Sequence, residues 1–232
     1  MNLLTLFARG GILMYPILLC SIIAVVVVIE RGLVLRKARV DIGQFMMRLR
    51  SVIQKGGVLA ALNFCSKTEA PISNILKKGL AKYSEGHERV REAIENAGKE
   101  EAFHLEHRLG ILASMAGIAP LLGFLGTVTG MIGAFRVVEQ LGGAVNPSDL
   151  AGGIWEALLT TAFGLFVGIP ALGFYNYFVT KVGRMVFEME SASEEFLELV
   201  RAGNLENADE PSSSEKDAQQ GLEADEYFAK KR

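Results

Sequence analysis

The chain has 232 residues, of which 50% are hydrophobic and 22% charged, and its formal net charge at pH 7 is −2. With a mean hydropathy of +0.28, it is too apolar for a disordered protein and too charged to lie in a membrane throughout. The near-neutral charge and the scattered basic residues give no reason to expect a nucleic-acid partner. We therefore expect an all-α integral membrane protein with transmembrane helices and a soluble helical part.

Residues 11–30 form the first predicted span, with the apolar run GILMYPILLCSIIAVVVVI. A cleaved signal peptide is the alternative, but the run is long for one and no A-x-A-like site follows it. Basic residues are more frequent after this run than before it: Arg9 precedes it, and Arg31, Arg36, Lys37 and Arg39 follow it. The positive-inside rule therefore places residues 1–10 outside the membrane and the next segment in the cytoplasm.

Residues 31–110 are predicted to form a cytoplasmic helical domain. Asp41 is a good N-cap for an amphipathic helix that Gly56 and Gly57 should end, and Pro71 is favourable at the start of a later helix. From Val90 onward, apolar residues recur at helical spacing with no evident helix breaker before the next apolar run. We expect one long helix that rises from the cytoplasm into the membrane.

Glu100, His104 and His107 could share one face of that helix, as metal ligands would. They also belong to a charged stretch of the kind that usually faces solvent, and no separate ligand-bearing segment accompanies them. We favour the solvated face and expect neither a metal nor a cofactor.

Residues 111–135 form the second predicted span, which carries no charge. Its glycines form a stripe at spacings that allow another backbone to approach closely: Gly123, Gly126, Gly130 and Gly133. Thr127 and Thr129 bring hydroxyl groups to the middle of the membrane. These hydroxyls either serve a polar pathway or bond to carbonyls of their own helix, which carries no function.

Residues 136–153 are predicted to be a short external loop, and residues 154–179 the third span. Glu156 is the single charged side chain of this span, and a carboxylate there costs about 2.5 to 3.5 kcal/mol on insertion scales, so it is a candidate functional group. One face of the helix carries small residues suited to close packing: Ala157, Thr161, Gly164, Gly168 and Ala171. Residues 180–203 continue as a cytoplasmic amphipathic helix, and residues 204–232 are predicted to be a disordered tail.

The three spans, the large cytoplasmic insertion between the first two, and two strings of residues resemble the MotA/TolQ/ExbB proton-channel family. The strings are GFLGTVTGMIGAF in the second span and GIWEALLTTAFGLFVGIPALGFYNYF in the third. The resemblance extends to about residue 200 and is greatest to the ExbB/TolQ branch, because the MotA branch has a fourth span.

This resemblance implies a homopentamer around a central pore lined by the second and third spans. Such a pore would enclose single-span helices of an ExbD/TolR-type partner, linked to a TonB- or TolA-like protein. By matching positions, Glu156 corresponds to the family's third-span glutamate, and Thr161 and Thr127 to its pore-facing threonines. The implied function is a proton-driven motor in a bacterial inner membrane, with a periplasmic N-terminus and a cytoplasmic C-terminus, energising TonB-dependent transport or Tol-type envelope maintenance.

Alternatives from other classes remain open. Glu156 could instead be a structural carboxylate at the membrane edge, paired with Arg136 or with a neighbouring subunit. The whole chain could be a solute transporter, although three spans without an internal repeat are few for one, or a structural membrane scaffold assembled through its glycine stripes. An enzyme is the least favoured class, because the sequence contains no nucleophile-base pair, phosphate loop or metal cluster that stands out.

Overall fold

The computed structural model describes residue 7 and residues 10–141 and 146–201, with the backbone alone for residues 147 and 149. In this part of the chain the structure is helical, with a short 3₁₀ turn at Tyr83–Glu85. The α-helices are α1 (Met14–Lys37), α2 (Ile42–Lys67), α3 (Pro71–Leu80), α4 (His87–Glu106), α5 (Leu109–Gln140) and α6 (Pro147–Arg201). Three stretches of the described chain, within Met14–Lys67, His87–Gln140 and Leu150–Arg201, are long and apolar enough to cross a membrane.

The chain divides into two compact units, and the first consists of Met1–Lys37 with His104–Gly183. In this unit α1 packs along α5. One side of α1 is buried at helical spacing and includes Ile17, Cys20, Ala24 and Val27. Its other side exposes large apolar side chains such as Leu19 and Val26. A helix that is apolar on every side is suited to lipid or to further protein around it.

The second unit consists of Ala38–Phe103 with Arg184–Arg232. Asp41 caps α2 by accepting a hydrogen bond from the Gln44 amide at 3.1 Å, as its sequence position predicts. Gly57, with φ of 64° and ψ of −164°, interrupts the helical backbone inside α2, which agrees with the predicted helix end. Helix α3 begins at Pro71 and is tied to α4 by an ion pair between Lys78 and Glu100.

The predicted single helix from the cytoplasmic domain into the second span is wrong, because the structure interrupts it between α4 and α5. Arg108 lies in the left-handed region with φ of 66°. Two side chains from α1 hold this junction: Glu30 pairs with Arg108, and the buried Arg31 donates a hydrogen bond to the His104 carbonyl at 3.3 Å. A cation is favourable at the carboxyl end of a helix, so Arg31 stabilises the end of α4.

The predicted loop at residues 136–153 is also mostly helical. Helix α5 continues to Gln140, and α6 already begins at Pro147. Helix α6 then runs without a break for 55 residues, through both the third predicted span and the amphipathic segment that follows. At 1.5 Å per residue its length is about 80 Å. The predicted tail at residues 204–232, and most of residues 1–10, lie outside the described residues.

Candidate functional site

The candidate site is built on a close contact between α5 and α6 that glycines make possible. A Cβ atom added to Gly164 would lie 2.6 Å from the Ala119 carbonyl oxygen, and one added to Gly123 would lie 3.0 Å from the Thr161 Cα. These distances are shorter than the contact separation of about 3.5 to 4.0 Å between carbon atoms. Backbones therefore touch directly here, as small residues allow in membrane helices.

The other predicted packing glycines give a mixed result. Gly126 and Gly130 on α5, and Gly168 on α6, also lie directly against the opposite helix. Gly133 does not, because nothing lies within 4 Å of the position that its Cβ would occupy. At this level the contact is made by Ala134, whose Cβ is 3.0 Å from the corresponding position of Gly153. Gly133 therefore makes no close contact within the described chain.

Thr161 links the two helices through its hydroxyl. Its Oγ1 donates a hydrogen bond of 2.8 Å to the Gly123 carbonyl on α5. Thr160, the preceding residue, is 1% exposed and donates to carbonyls of its own helix, those of Glu156 and Ala157. A Cβ on Gly126 would lie 2.1 Å from the Thr160 hydroxyl, so this hydroxyl is pressed against α5 as well.

The hydroxyls of the second span bond within their own helix. Thr127 Oγ1 donates to the Phe124 carbonyl at 2.6 Å, and Thr129 Oγ1 donates to the Leu125 carbonyl at 3.0 Å. Each is the local bond that a threonine commonly makes inside a helix. An oxygen that donates in this way keeps its lone pairs as acceptors, so Thr127 can still accept a hydrogen bond from water or from a partner.

Glu156 lies on α6 and is half-buried. Because α6 begins at Pro147, Glu156 sits in the third turn of its helix. Its carboxylate is directed at Gly11, just before α1: a Cβ on Gly11 would lie 1.7 Å from Glu156 Oε1. The segment just before α1 thus contacts a residue whose site the sequence had placed between the second and third spans alone.

Among the described residues, no hydrogen bond joins the side chains of Glu156, Thr161 and Thr127 to one another. What the structure brings together is Thr161 with Gly123, and Glu156 with Gly11. Sequence reasoning missed Gly11 and Thr160. The two adjacent glycines at the start of the first predicted span and the adjacent threonines in the third were the available signals for them. The described chain also holds no group of three or more His, Cys, Asp or Glu residues that could bind a metal.

Comparison with known proteins gives a family match over residues 67–191, to the MotA/TolQ/ExbB proton channel family. An ExbB homolog from Methanothermobacter thermautotrophicus, described as a biopolymer transport protein, is 31% identical over 190 residues, covering 82% of this chain and 67% of the relative. The Tol-Pal system protein TolQ of Pseudomonas aeruginosa is 26% identical over 196 residues, covering 80% of this chain and 84% of that protein.

A solved structure has a similar fold. A chain of the flagellar MotAB stator complex of Bacillus subtilis superposes with a TM-score of 0.53 at 23% sequence identity, covering 92% of this chain and 87% of that chain. At this level of sequence identity, the similarity concerns the fold alone.

Proposed function

Because this chain belongs to the MotA/TolQ/ExbB proton channel family, we propose that it is the ExbB/TolQ-like subunit of a motor driven by the proton-motive force. Family membership and the three apolar helices make it a multi-pass membrane protein. We place it in a bacterial inner membrane, with a periplasmic N-terminus and a cytoplasmic C-terminus, as the distribution of basic residues around the first span favours.

The proposed assembly is a homopentamer that encloses single-span helices of an ExbD/TolR-like partner. The exposed apolar side chains on α5 and α6, which include Phe124, Phe166 and Ile169, support the assembly because such surfaces need lipid or protein against them. The enclosed partner would in turn act on a TonB- or TolA-like protein. Transport across the outer membrane is the process we propose, and Tol-Pal-type envelope maintenance is the alternative.

The observation that carries the proposal is the half-buried Glu156 on α6, the helix whose glycines pack closely against α5. A charged group within a membrane is a functional-site hypothesis by default. In the proposed pentamer, a protein-lined interior would keep the Glu156 carboxylate away from lipid. The hydroxyl oxygens of Thr127 and Thr161 can accept hydrogen bonds from water molecules along a hydrated path.

Energetically, each proton that descends 100 mV releases about 2.3 kcal/mol. Several protons must therefore be coupled to move a partner helix against a substantial load. We propose that the chain is not an enzyme: its chemistry would be the transfer of protons between carboxylates and water.

The test is proton flux into liposomes that contain the intact complex with its native partner. Glu156→Gln keeps the size of the side chain and removes its ability to release a proton, so we expect flux to fall by about 10²-fold or more, as for other proton-transferring groups. Glu139→Gln is the matched control, since Glu139 is an exposed carboxylate near the end of α5. That control should keep its flux.

Unchanged flux in Glu156→Gln would remove Glu156 from the pathway. If Thr161→Ala were then also fully active and the oligomer intact, the scaffold would become the better account. Uptake of a solute by the purified chain alone would favour the transporter.

A further inference from the structure

Gly11 faces the Glu156 carboxylate at a distance that no other residue type would allow. A Cβ added to Gly11 would lie 1.7 Å from Glu156 Oε1 and 2.8 Å from its Cδ, so the carboxylate occupies the space of the missing side chain. By comparison, the nearest carboxylate oxygen to a Cβ on Gly43 is at 3.5 Å, an ordinary contact. The contact at Gly11 joins two segments of the same compact unit.

The backbone at Gly11 is also specialised. Its φ is 68°, in the left-handed region that glycine adopts at little cost. Its carbonyl accepts a hydrogen bond from the Met14 amide at 3.3 Å, so Gly11 ends the entry segment and begins the first turn of α1. The Glu156 carboxylate therefore lies beside the amino end of α1, where the helix dipole favours a negative charge.

We propose that Gly11 is a positioning residue for Glu156, and that the first helix thereby forms part of the proton site. The absent side chain leaves the space in which the carboxylate is held, and the amino end of α1 favours the carboxylate there. This inference rests on the proposed role of Glu156 in proton flow. It adds α1 to a site that the family resemblance assigned to the second and third spans alone.

The geometry predicts how an added methyl group would act. The atoms that a Gly11→Ala methyl would meet belong to the end of the flexible Glu156 side chain and not to the backbone. Turning that side chain away costs less than moving a backbone, so the helices can stay in place while the carboxylate loses its favoured position. A displacement of about 1 Å at a reacting group can cost up to about 10²-fold in rate.

The experiment compares Gly11→Ala with Gly86→Ala in the intact complex, by proton flux and by thermal unfolding. Gly86 is the control for a positive φ without a contact, because its φ is 94° and nothing lies within 4 Å of its Cβ position. Both variants should unfold at lowered temperatures, since alanine is strained at a positive φ. Flux should fall by about 10-fold to 10²-fold in Gly11→Ala alone.

A second comparison separates displacement of the carboxylate from backbone strain. Glu156→Asp withdraws the carboxylate by one methylene group, so adding Gly11→Ala to Glu156→Asp should change flux far less than it does in the parent protein. Thermal unfolding provides the same test without flux. Gly11→Ala should lower the unfolding temperature less when Glu156→Ala has removed the carboxylate.

Two results would overturn the inference: Gly11→Ala with parental flux while Glu156→Gln is inactive, or equal effects of Gly11→Ala with and without the Glu156 side chain. If Glu156→Gln itself kept full flux, the proposed function would fail first, whatever Gly11→Ala showed.

Discussion

Close packing of α5 against α6 makes a prediction that can be worked out from two glycines of one helix. In Gly164→Ala the new Cβ would lie 2.6 Å from the Ala119 carbonyl oxygen and 3.0 Å from the Gly123 Cα, both backbone atoms. Neither can turn aside, so the two helices must separate by roughly 1 Å to reach normal contact. In Gly173→Ala, on the same helix, the new methyl meets nothing within 4 Å.

The magnitude follows from the difference between the two variants. Each gains about 0.5 to 1 kcal/mol because alanine favours a helix more than glycine does. That gain cancels in the comparison, which leaves the cost of overpacking, about 2 to 3 kcal/mol at a contact between two backbones. For a chain of this size, the difference corresponds to about 4 to 12 °C in unfolding temperature.

Thermal unfolding of the complex in one detergent measures this difference directly. Gly117→Ala on α5 is a second control, because its Cβ position is open as well. We expect Gly164→Ala to unfold well below the parent protein, and both control variants to unfold near it or above it. If Gly164→Ala proved as stable as Gly173→Ala, the close approach of the two helices would be refuted.

Further predictions concern single side chains. Thr161→Val removes a hydrogen bond between helices and should lower the free energy of unfolding by about 0.6 to 2 kcal/mol. Thr160→Val removes hydrogen bonds within one helix and should lower it less. Equal losses in denaturant unfolding would contradict the assigned partners. Burial raises the pKa of the Cys65 thiol from 9.0 to about 11, so maleimide should label this 1% exposed group slowly near neutral pH until the protein unfolds. Because the fold keeps this thiol neutral, its contribution to the free energy of unfolding should be complete below about pH 9. That contribution, about 2 to 3 kcal/mol, should be lost as the pH rises to about 11. Rapid labelling of the folded protein would contradict the burial on which both statements rest.

Local signals in the sequence were enough to predict several helix ends. Asp41 and Pro71 begin helices, and Gly57 breaks one, because the backbone preference of each residue acts within a few positions. The junction at Arg108 could not be found in this way. Arg108 is neither glycine nor proline, and the junction depends on Glu30 and Arg31, which approach from the distant first helix.

Helical spacing identified the face of contact but not its members. The contact face of a helix is about 100° wide or more, and adjacent residues are about 100° apart around the axis. Spacing alone therefore does not decide between Thr160 and Thr161, or between Gly133 and Ala134. The structure uses both threonines in different ways and passes over Gly133. The approach of Gly11 to Glu156 could not be predicted from the sequence either, because no periodicity joins the start of the first span to a residue in the third.

Native mass spectrometry of the protein, purified gently from its own membranes with its neighbours intact, tests the central claim most directly. We expect five copies of this chain together with a small single-span protein that carries an aspartate in its membrane segment. The identity of that partner would also separate outer-membrane transport from envelope maintenance. A monomer or dimer without such a companion would contradict the motor, and the pore roles of Glu156, Thr161 and Thr127 would fall with it.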